Sequence, residues 1–429
     1  MTANTKAAGP SAGKPAWAAN RVLLSIWCVV AAFGTYACMY GFRKPFTAAG
    51  YEDWGEGFKA LLVTSQVLGY MVSKIIGIKV ISEMRPERRA ITLLGLIGGA
   101  QIALLLFAVV PRPYNVACLF LNGLPLGMVF GLVLGFLEGR RLTEAFVAGL
   151  CVSFILADGF TKSVGAWLLK AGVTEAWMPF TAGLIFLIPL LLFVEMLRRI
   201  PPPDHADVAE RSERTPMTAR DRWTMLRKYG AGLGLITLAF LLVTILRSLR
   251  ADFAPEIWKG LGTSGQPSVF TTSEMWVALG VMAVNGSVVV IRDNRRAFFA
   301  GLGVAVFGFV LLIAALLGRK AGLLDVFPFM VLVGLGLYLP YVAVHTTIFE
   351  RLIALTRDRG NMGYLMYLAD ASGYLGYVAV MFAKPYLKVS GGFLGFFELT
   401  CWIVSGFAVV SLVGAWLFFA RKHRRDPRS

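Results

Sequence analysis

Charge is scarce in this chain, and so are the residues that hold metals or close disulfides. Of 429 residues only 16% are charged, three are histidine and five are cysteine. So little polar surface cannot cover a soluble globule of this size; 57% of the chain is hydrophobic and the mean hydropathy is +0.67. Cys28, Cys38, Cys118, Cys151 and Cys401 all lie in or beside apolar runs, with no CxxC pair and no His/Cys cluster. That pattern argues against a disulfide framework and a metal centre, and leaves packing as their role. No zinc-ligand set, nucleophile elbow or phosphate loop occurs, so neither an enzyme nor a cofactor is expected. What charge there is leans basic, with 42 Lys and Arg against 25 Asp and Glu. These cations punctuate apolar runs and form no aromatic-interleaved patch, which argues against nucleic acid and for a lipid bilayer as the partner.

Runs long enough to cross about 30 Å of hydrocarbon at 1.5 Å per residue fall at 21–43, 58–80, 90–110, 115–137, 145–169 and 176–197. After a polar stretch they resume at 229–250, 273–291, 296–317, 325–347, 362–387 and 395–420. The eighth and eleventh are the weakest, because Gly, Asn, Asp and Tyr interrupt them. The expected fold is therefore an all-α integral membrane protein of twelve transmembrane helices in two six-helix bundles, 21–197 and 229–420. A polar tail (1–20), which lacks the pattern of a cleavable signal peptide, a basic proline-bearing linker (198–228) and a basic tail (421–429) complete the chain.

Lysine and arginine near span ends are retained on the cytoplasmic side. With the N-terminus inside, the inner loops hold Arg85, Arg88, Arg89, Arg140, Arg141, Arg292, Arg295, Arg296, Arg351, Arg357 and Arg359, and the tail holds Arg421 to Arg425. Outer loops carry far fewer, mainly Arg112, Lys170, Lys259, Arg319, Lys320 and Lys388. Both termini are expected to be cytoplasmic, and compact loops suggest a bacterial inner membrane. An internal repeat supports the two-bundle reading. Glu138 precedes Asp158 by 20 residues, Glu350 precedes Asp370 by the same 20, and the windows share Arg140 with Arg351 and Gly149 with Gly360.

Cations inside or at the edge of a span are costly and mark substrate or ion paths. Arg43 and Lys44 end the first span in YACMYGFRKPF, and Arg247 and Arg250 fall late in the seventh, LLVTILRSLRADFAP. Each half thus offers guanidinium at a similar depth, and guanidinium is a permanently charged fork of donors matched to phosphate or carboxylate oxygens. A small anionic solute bound between the halves is the expectation. Competing structural roles are specific. Arg43 and Lys44 could snorkel to the outer interface, and Lys74 could snorkel or pair with a helix-end carboxylate. Arg250 could pair with Asp252. Asp158 and Lys162, four apart on one helical face, could neutralise each other. Asp370 has no base one turn away, so any partner must come from another helix. His345 reads as a hydrogen-bonded bundle residue. Tyr364, Tyr367, Tyr374 and Tyr377 in the eleventh span could line a cavity or make ordinary helix contacts, and Gly123, Gly127, Gly131 and Gly135 allow close helix approach.

Tyr36, Tyr40, Arg43, Lys44 and Phe46, then Gly69, Tyr70, Ser73, Lys74 and Gly77, then Arg247, Asp252, Phe253 and Pro255 keep three spacings. On them the chain resembles the major facilitator superfamily and, within it, the organophosphate:phosphate antiporters that carry glycerol-3-phosphate and hexose-6-phosphate. The resemblance implies that Arg43 and Arg247 face each other across a central cavity and bind phosphate, with Tyr36, Tyr40, Lys44 and Lys74 nearby. Two departures stand out: Glu83 lies where the superfamily loop carries Asp, and Asp158, with Lys162 one turn on, lies where those antiporters carry a functional histidine. A monomeric secondary transporter exchanging an anionic solute, with phosphate or a proton as counter-substrate, follows from the resemblance. Two other classes fit the residues: a proton-coupled organic-anion symporter or exporter titrating at Asp158 or Asp370, and a non-transporting receptor for a phosphorylated solute.

Overall fold

Helices account for every regular element among the described residues, which are 20–55, 57–82, 84–137, 143–201, 219–263, 266–356, 362–384 and 391–425 of a computed structural model. In the first half they are α1 (Arg21–Gly41), α2 (Phe58–Ser82), α3 (Arg89–Val109), α4 (Asn115–Leu126), α5 (Val129–Leu137), α6 (Thr143–Lys170) and α7 (Met178–Arg198). The second half has α8 (Ala219–Asp252), α9 (Ala254–Gly260), α10 (Ser268–Val289), α11 (Asn294–Lys320), α12 (Val326–Ala343), α13 (Phe349–Thr356), α14 (Met362–Ala383) and α15 (Gly392–Arg425). Ten helical segments are long and apolar enough to cross a membrane, and the chain is an integral multi-pass membrane protein. The other two expected runs, 273–291 and 362–387, are helical as α10 and α14 but fall short of that apolar test.

Local chemistry sets the boundaries. Asn20 caps α1 by accepting from the amides of Val22 and Leu23 at 3.0 and 3.2 Å, and Asp293 caps α11 from the amide of Arg296. Helix α8 begins at Ala219, inside the stretch expected as linker, because residues 219–228 hold neither glycine nor proline and continue the helix beyond the apolar segment. Likewise α15 runs on to Arg425. The rest of the linker, 202–218, and Glu138, Arg140, Arg141, Arg357, Arg359 and Gly360 lie outside the described residues. Pro340 lies within α12, and a π-helical turn, Val344–Ile348, follows before α13.

The packing repeats. Helix α1 packs on α6 and α7, α2 on α4, and α3 on α4 and α7; six spans later α8 packs on α14 and α15, α10 on α12, and α11 on α12 and α15. Between the halves the main pairings are α6 with α10 and α2 with α14, which exchange under the same shift. Close approach depends on glycine where the sequence places it: a Cβ on Gly69 would meet the Phe120 carbonyl oxygen at 2.1 Å, and one on Gly123 the Gln66 carbonyl oxygen at 2.1 Å.

Candidate functional site

The buried charge is carried by the α2–α14 and α6–α10 seams together with the end of α1 and the end of α8. Lys44, just past α1, donates to Asp252 at the end of α8, and lies 3.7 Å from Asp158 of α6. Lys162 pairs with Asp158 one turn along the same helix, and the Tyr377 hydroxyl donates to Asp252 at 2.9 Å. Two lysines thus meet two aspartates, and this cluster is self-neutral. Arg250 pairs with Glu274 of α10 at 2.6 Å and donates to the Met330 carbonyl at 3.1 Å; Gly334 leaves room, since a Cβ there would lie 2.8 Å from the guanidinium. Lys74 of α2 donates to Asp370 of α14, whose other oxygen lies 3.4 Å from His345 Nε2.

Arg43 and Arg247 differ from these. Both are buried, 5% and 8% exposed, yet neither group pairs with a carboxylate among the described residues; an unpartnered Nε they share with Arg250, which has Glu274. Aromatic faces hold them instead. The Arg43 guanidinium lies 3.9 Å from the Tyr70 ring centroid and 5.9 Å from that of Tyr40, and Arg247 lies 4.4 Å from that of Tyr341. Every other buried cation here, Lys44, Lys59, Lys74, Lys162 and Arg250, has a carboxylate.

Between the halves lies a void of about 20 Å³, room for about one water, lined by Tyr36, Tyr40, Tyr70, Lys74, Phe130, Phe154, Arg247, Tyr341, His345, Asp370 and Tyr374. Arg43 is not among its lining residues but lies against the rings of Tyr40 and Tyr70, which are.

On the expected outer side the seam is closed in layers. Beyond Lys44–Asp252, Lys59 donates to Glu256 at 2.6 Å and to the Thr47 carbonyl at 2.7 Å. At the rim the exposed Lys259 donates to Glu52 at 2.7 Å, and this bond holds the Glu52 carboxyl below its usual range and raises Lys259. Between α6 and α10, the Ser163 hydroxyl donates to the Pro267 carbonyl at 2.5 Å and accepts from Thr271. Gly159 makes this crossing possible, since a Cβ there would lie 2.4 Å from the Phe270 carbonyl oxygen.

Several expectations change against this geometry. Arg250 does not pair with Asp252, because residues two apart on a helix point to different sides. Lys44, expected beside a solute, is occupied by Asp252 and Asp158. Lys74 neither snorkels nor meets a helix-end group. Asp370 does find its partners on other helices, and Asp158 does pair with Lys162. Tyr36, Tyr40 and Tyr374 line the void. His345 is hydrogen-bonded within the bundle as expected, its Nδ1 3.1 Å from the Tyr341 carbonyl oxygen; sequence reasoning missed Glu274, for which a lone carboxylate within a span was the available signal. Cys28, Cys38, Cys118 and Cys401 are buried, and no metal-holding cluster occurs among the described residues.

Comparison with solved structures places this geometry in a known architecture. A D-xylose-proton symporter matches with a TM-score of 0.61 at 14% identity, over 92% of this chain and 98% of that one. The human organic anion transporter MFSD10 (TETRAN) matches with a TM-score of 0.56 at 13% identity, over 91% and 99%. Identity this low shows the fold alone, the major facilitator fold. No curated protein sequence matches significantly. One family pattern covers residues 45–422, and the chain belongs to that family, described as DUF5690, a family of unknown function.

Proposed function

We propose that the protein is a secondary active transporter that binds a small phosphate- or carboxylate-bearing anion between Arg43 and Arg247 and carries it by alternating access of the two halves. One observation carries this reading: these two buried guanidinium groups lack the carboxylate that every other described buried cation on the seam has. Holding an ion away from water without a counter-charge is expensive, and an anionic ligand is the group that offsets it for both at once. A neutral sugar does not. Tyr36, Tyr40 and Lys74 would complete the anion's surroundings, while Lys44, with Asp158 and Lys162, belongs to the outer seal.

The void is too small for such a solute, so the tyrosines must part to admit it and close behind it. When the anion neutralises both arginines the halves can approach; an empty site with two facing cations resists that closure, which favours exchange over net flux. The three motifs shared with organophosphate:phosphate antiporters support phosphate as one of the exchanged anions. The name of one fold neighbour, an organic anion transporter, agrees with an anionic cargo without identifying it.

The test is a thermal-shift screen of the purified protein with inorganic phosphate, sulfate and organic phosphates, beside Arg43→Ala and Arg247→Ala. Stabilisation by phosphate that both variants lose is expected, together with phosphate exchange in proteoliposomes that needs an anion inside. Stabilisation unchanged in both variants overturns the site, and rapid net uptake into anion-free vesicles overturns exchange.

A further inference from the structure

Lys74, Asp370 and His345 meet on one wall of the void, drawn from both halves. Lys74 takes one carboxylate oxygen of Asp370. The other, Oδ1, makes no hydrogen bond, and His345 Nε2 lies 3.4 Å from it. On the far side of the ring, Nδ1 lies 3.1 Å from the Tyr341 carbonyl oxygen. A carbonyl only accepts, so Nδ1 carries the hydrogen, and a neutral ring then turns the Nε2 lone pair towards a carboxylate oxygen. Two facing lone pairs in a buried site repel; a proton between them makes the contact a hydrogen bond, whichever atom holds it. The ring is held for this by Phe240 and Tyr341, with centroids 5.0 and 4.7 Å away, on a π-helical turn of the kind that often marks functional positions.

We propose that His345 Nε2 and Asp370 Oδ1 form a proton-binding site, and that a proton there and an anion at Arg43 and Arg247 bind cooperatively. The groups facing the pair are Lys74 and Tyr70 from α2, Tyr36 and Tyr40 from α1, Arg247 from α8, Tyr341 from α12 and Tyr374 from α14, with Arg43 against Tyr40 and Tyr70. Lys74, Arg247 and Arg43 are cations that oppose an added proton; a bound anion cancels that opposition. Linkage makes the effect reciprocal, so the proton strengthens anion binding by the same factor. The proton comes from bulk water and adds to a lone pair, and no other bond changes. The coupling rests on the anion reading above; the proton site does not.

The chain has three histidines, His205, His345 and His423, so ¹⁵N-histidine spectra of the whole protein, assigned with His345→Gln, report the ring directly. The expected result is a hydrogen fixed on Nδ1 of His345, with Nε2 as the atom that gains and loses a proton. A hydrogen fixed on Nε2 with a bare Nδ1 overturns the site. Coupling is read by calorimetric titration with sulfate, whose charge does not change near neutral pH, in buffers of different protonation heat. Wild-type protein is expected to take up about one proton per sulfate bound, and Asp370→Asn and His345→Gln to take up none. Sulfate binding without proton uptake in the wild type overturns the coupling while leaving the anion site standing. Failure of both sulfate and phosphate to bind removes the anion site and the coupling together, and the ring spectrum alone then decides the proton site.

Discussion

The guanidinium of Arg43 sits 3.9 Å from the centre of the Tyr70 ring, with its Nε unpartnered. A desolvated cation–π contact contributes up to about 2 kcal/mol, whereas withdrawing an ion from water costs several kcal/mol once relaxation is counted. The second effect wins. Arg43→Met and Arg247→Met are therefore expected to raise the thermal midpoint of the anion-free protein, by the equivalent of about 1–4 kcal/mol, while abolishing any shift with phosphate. A lower midpoint in both variants would mean that these side chains are structural.

Lys74 and Asp370 predict the opposite sign. Each is buried and each serves the other across the seam. Lys74→Met leaves an uncompensated carboxylate and should cost about 3–5 kcal/mol. Adding Asp370→Leu removes the stranded charge and should recover most of that loss, a coupling that a double-mutant cycle measures. Simple addition of the two losses would show the pair to be energetically independent.

The sequence shows where the helices lie because each must present a long apolar surface to lipid. It marks the seam as well, in a way that looks like weakness: the two runs broken by polar residues are α10 and α14, which carry Glu274 and Asp370 into the contact between the halves. Arg43 and Arg247 stand out because a cation in an apolar run is visible on its own. Pairing is not visible in that way. Lys44 and Asp252 are 208 residues apart, and Lys74 and Asp370 are 296 apart; only the fold decides which lysine each aspartate takes. That Arg43 and Arg247 are left over is therefore a result of the tertiary structure. The approach of His345 to Asp370 is hidden for the same reason, since the carboxylate lies on another helix.

Gly159 sets how closely α6 and α10 approach. A side chain at this position meets the Phe270 backbone at the α6–α10 crossing, and a backbone carbonyl cannot swing away as a flexible side chain would. Gly159→Val is expected to pry α6 from α10 and to break the Ser163–Pro267 and Ser163–Thr271 bonds. The measurement is labelling of Ser163→Cys by a membrane-impermeant thiol reagent, corrected for the background cysteines. Labelling should rise at least several-fold in the Gly159→Val background, and an unchanged rate would show that α6 and α10 accommodate the methyl groups without parting.

Two ion pairs at this end of the seam separate burial from charge as the source of its strength. Glu52 and Lys259 are 76% and 74% exposed at their side chains, so water and salt screen them and the pair adds little. Lys59 is 5% exposed, and its partner Glu256 is only a quarter exposed. Glu52→Gln should therefore leave the thermal midpoint at pH 7 within error, whereas Lys59→Met should lower it by about 2–3 kcal/mol, short of the full cost of breaking a wholly buried pair because Glu256 keeps some water. The sign with pH follows from the direction of the Glu52 shift. A carboxyl held below its usual range contributes above its unfolded value and loses that contribution as pH falls through the lowered one. Any effect of Glu52→Gln should accordingly be confined to neutral pH and low salt and vanish in acid, while the Lys59→Met deficit should persist in high salt. A deficit at Glu52 as large as that at Lys59 would place the strength of the seal at the rim and not in the buried layers.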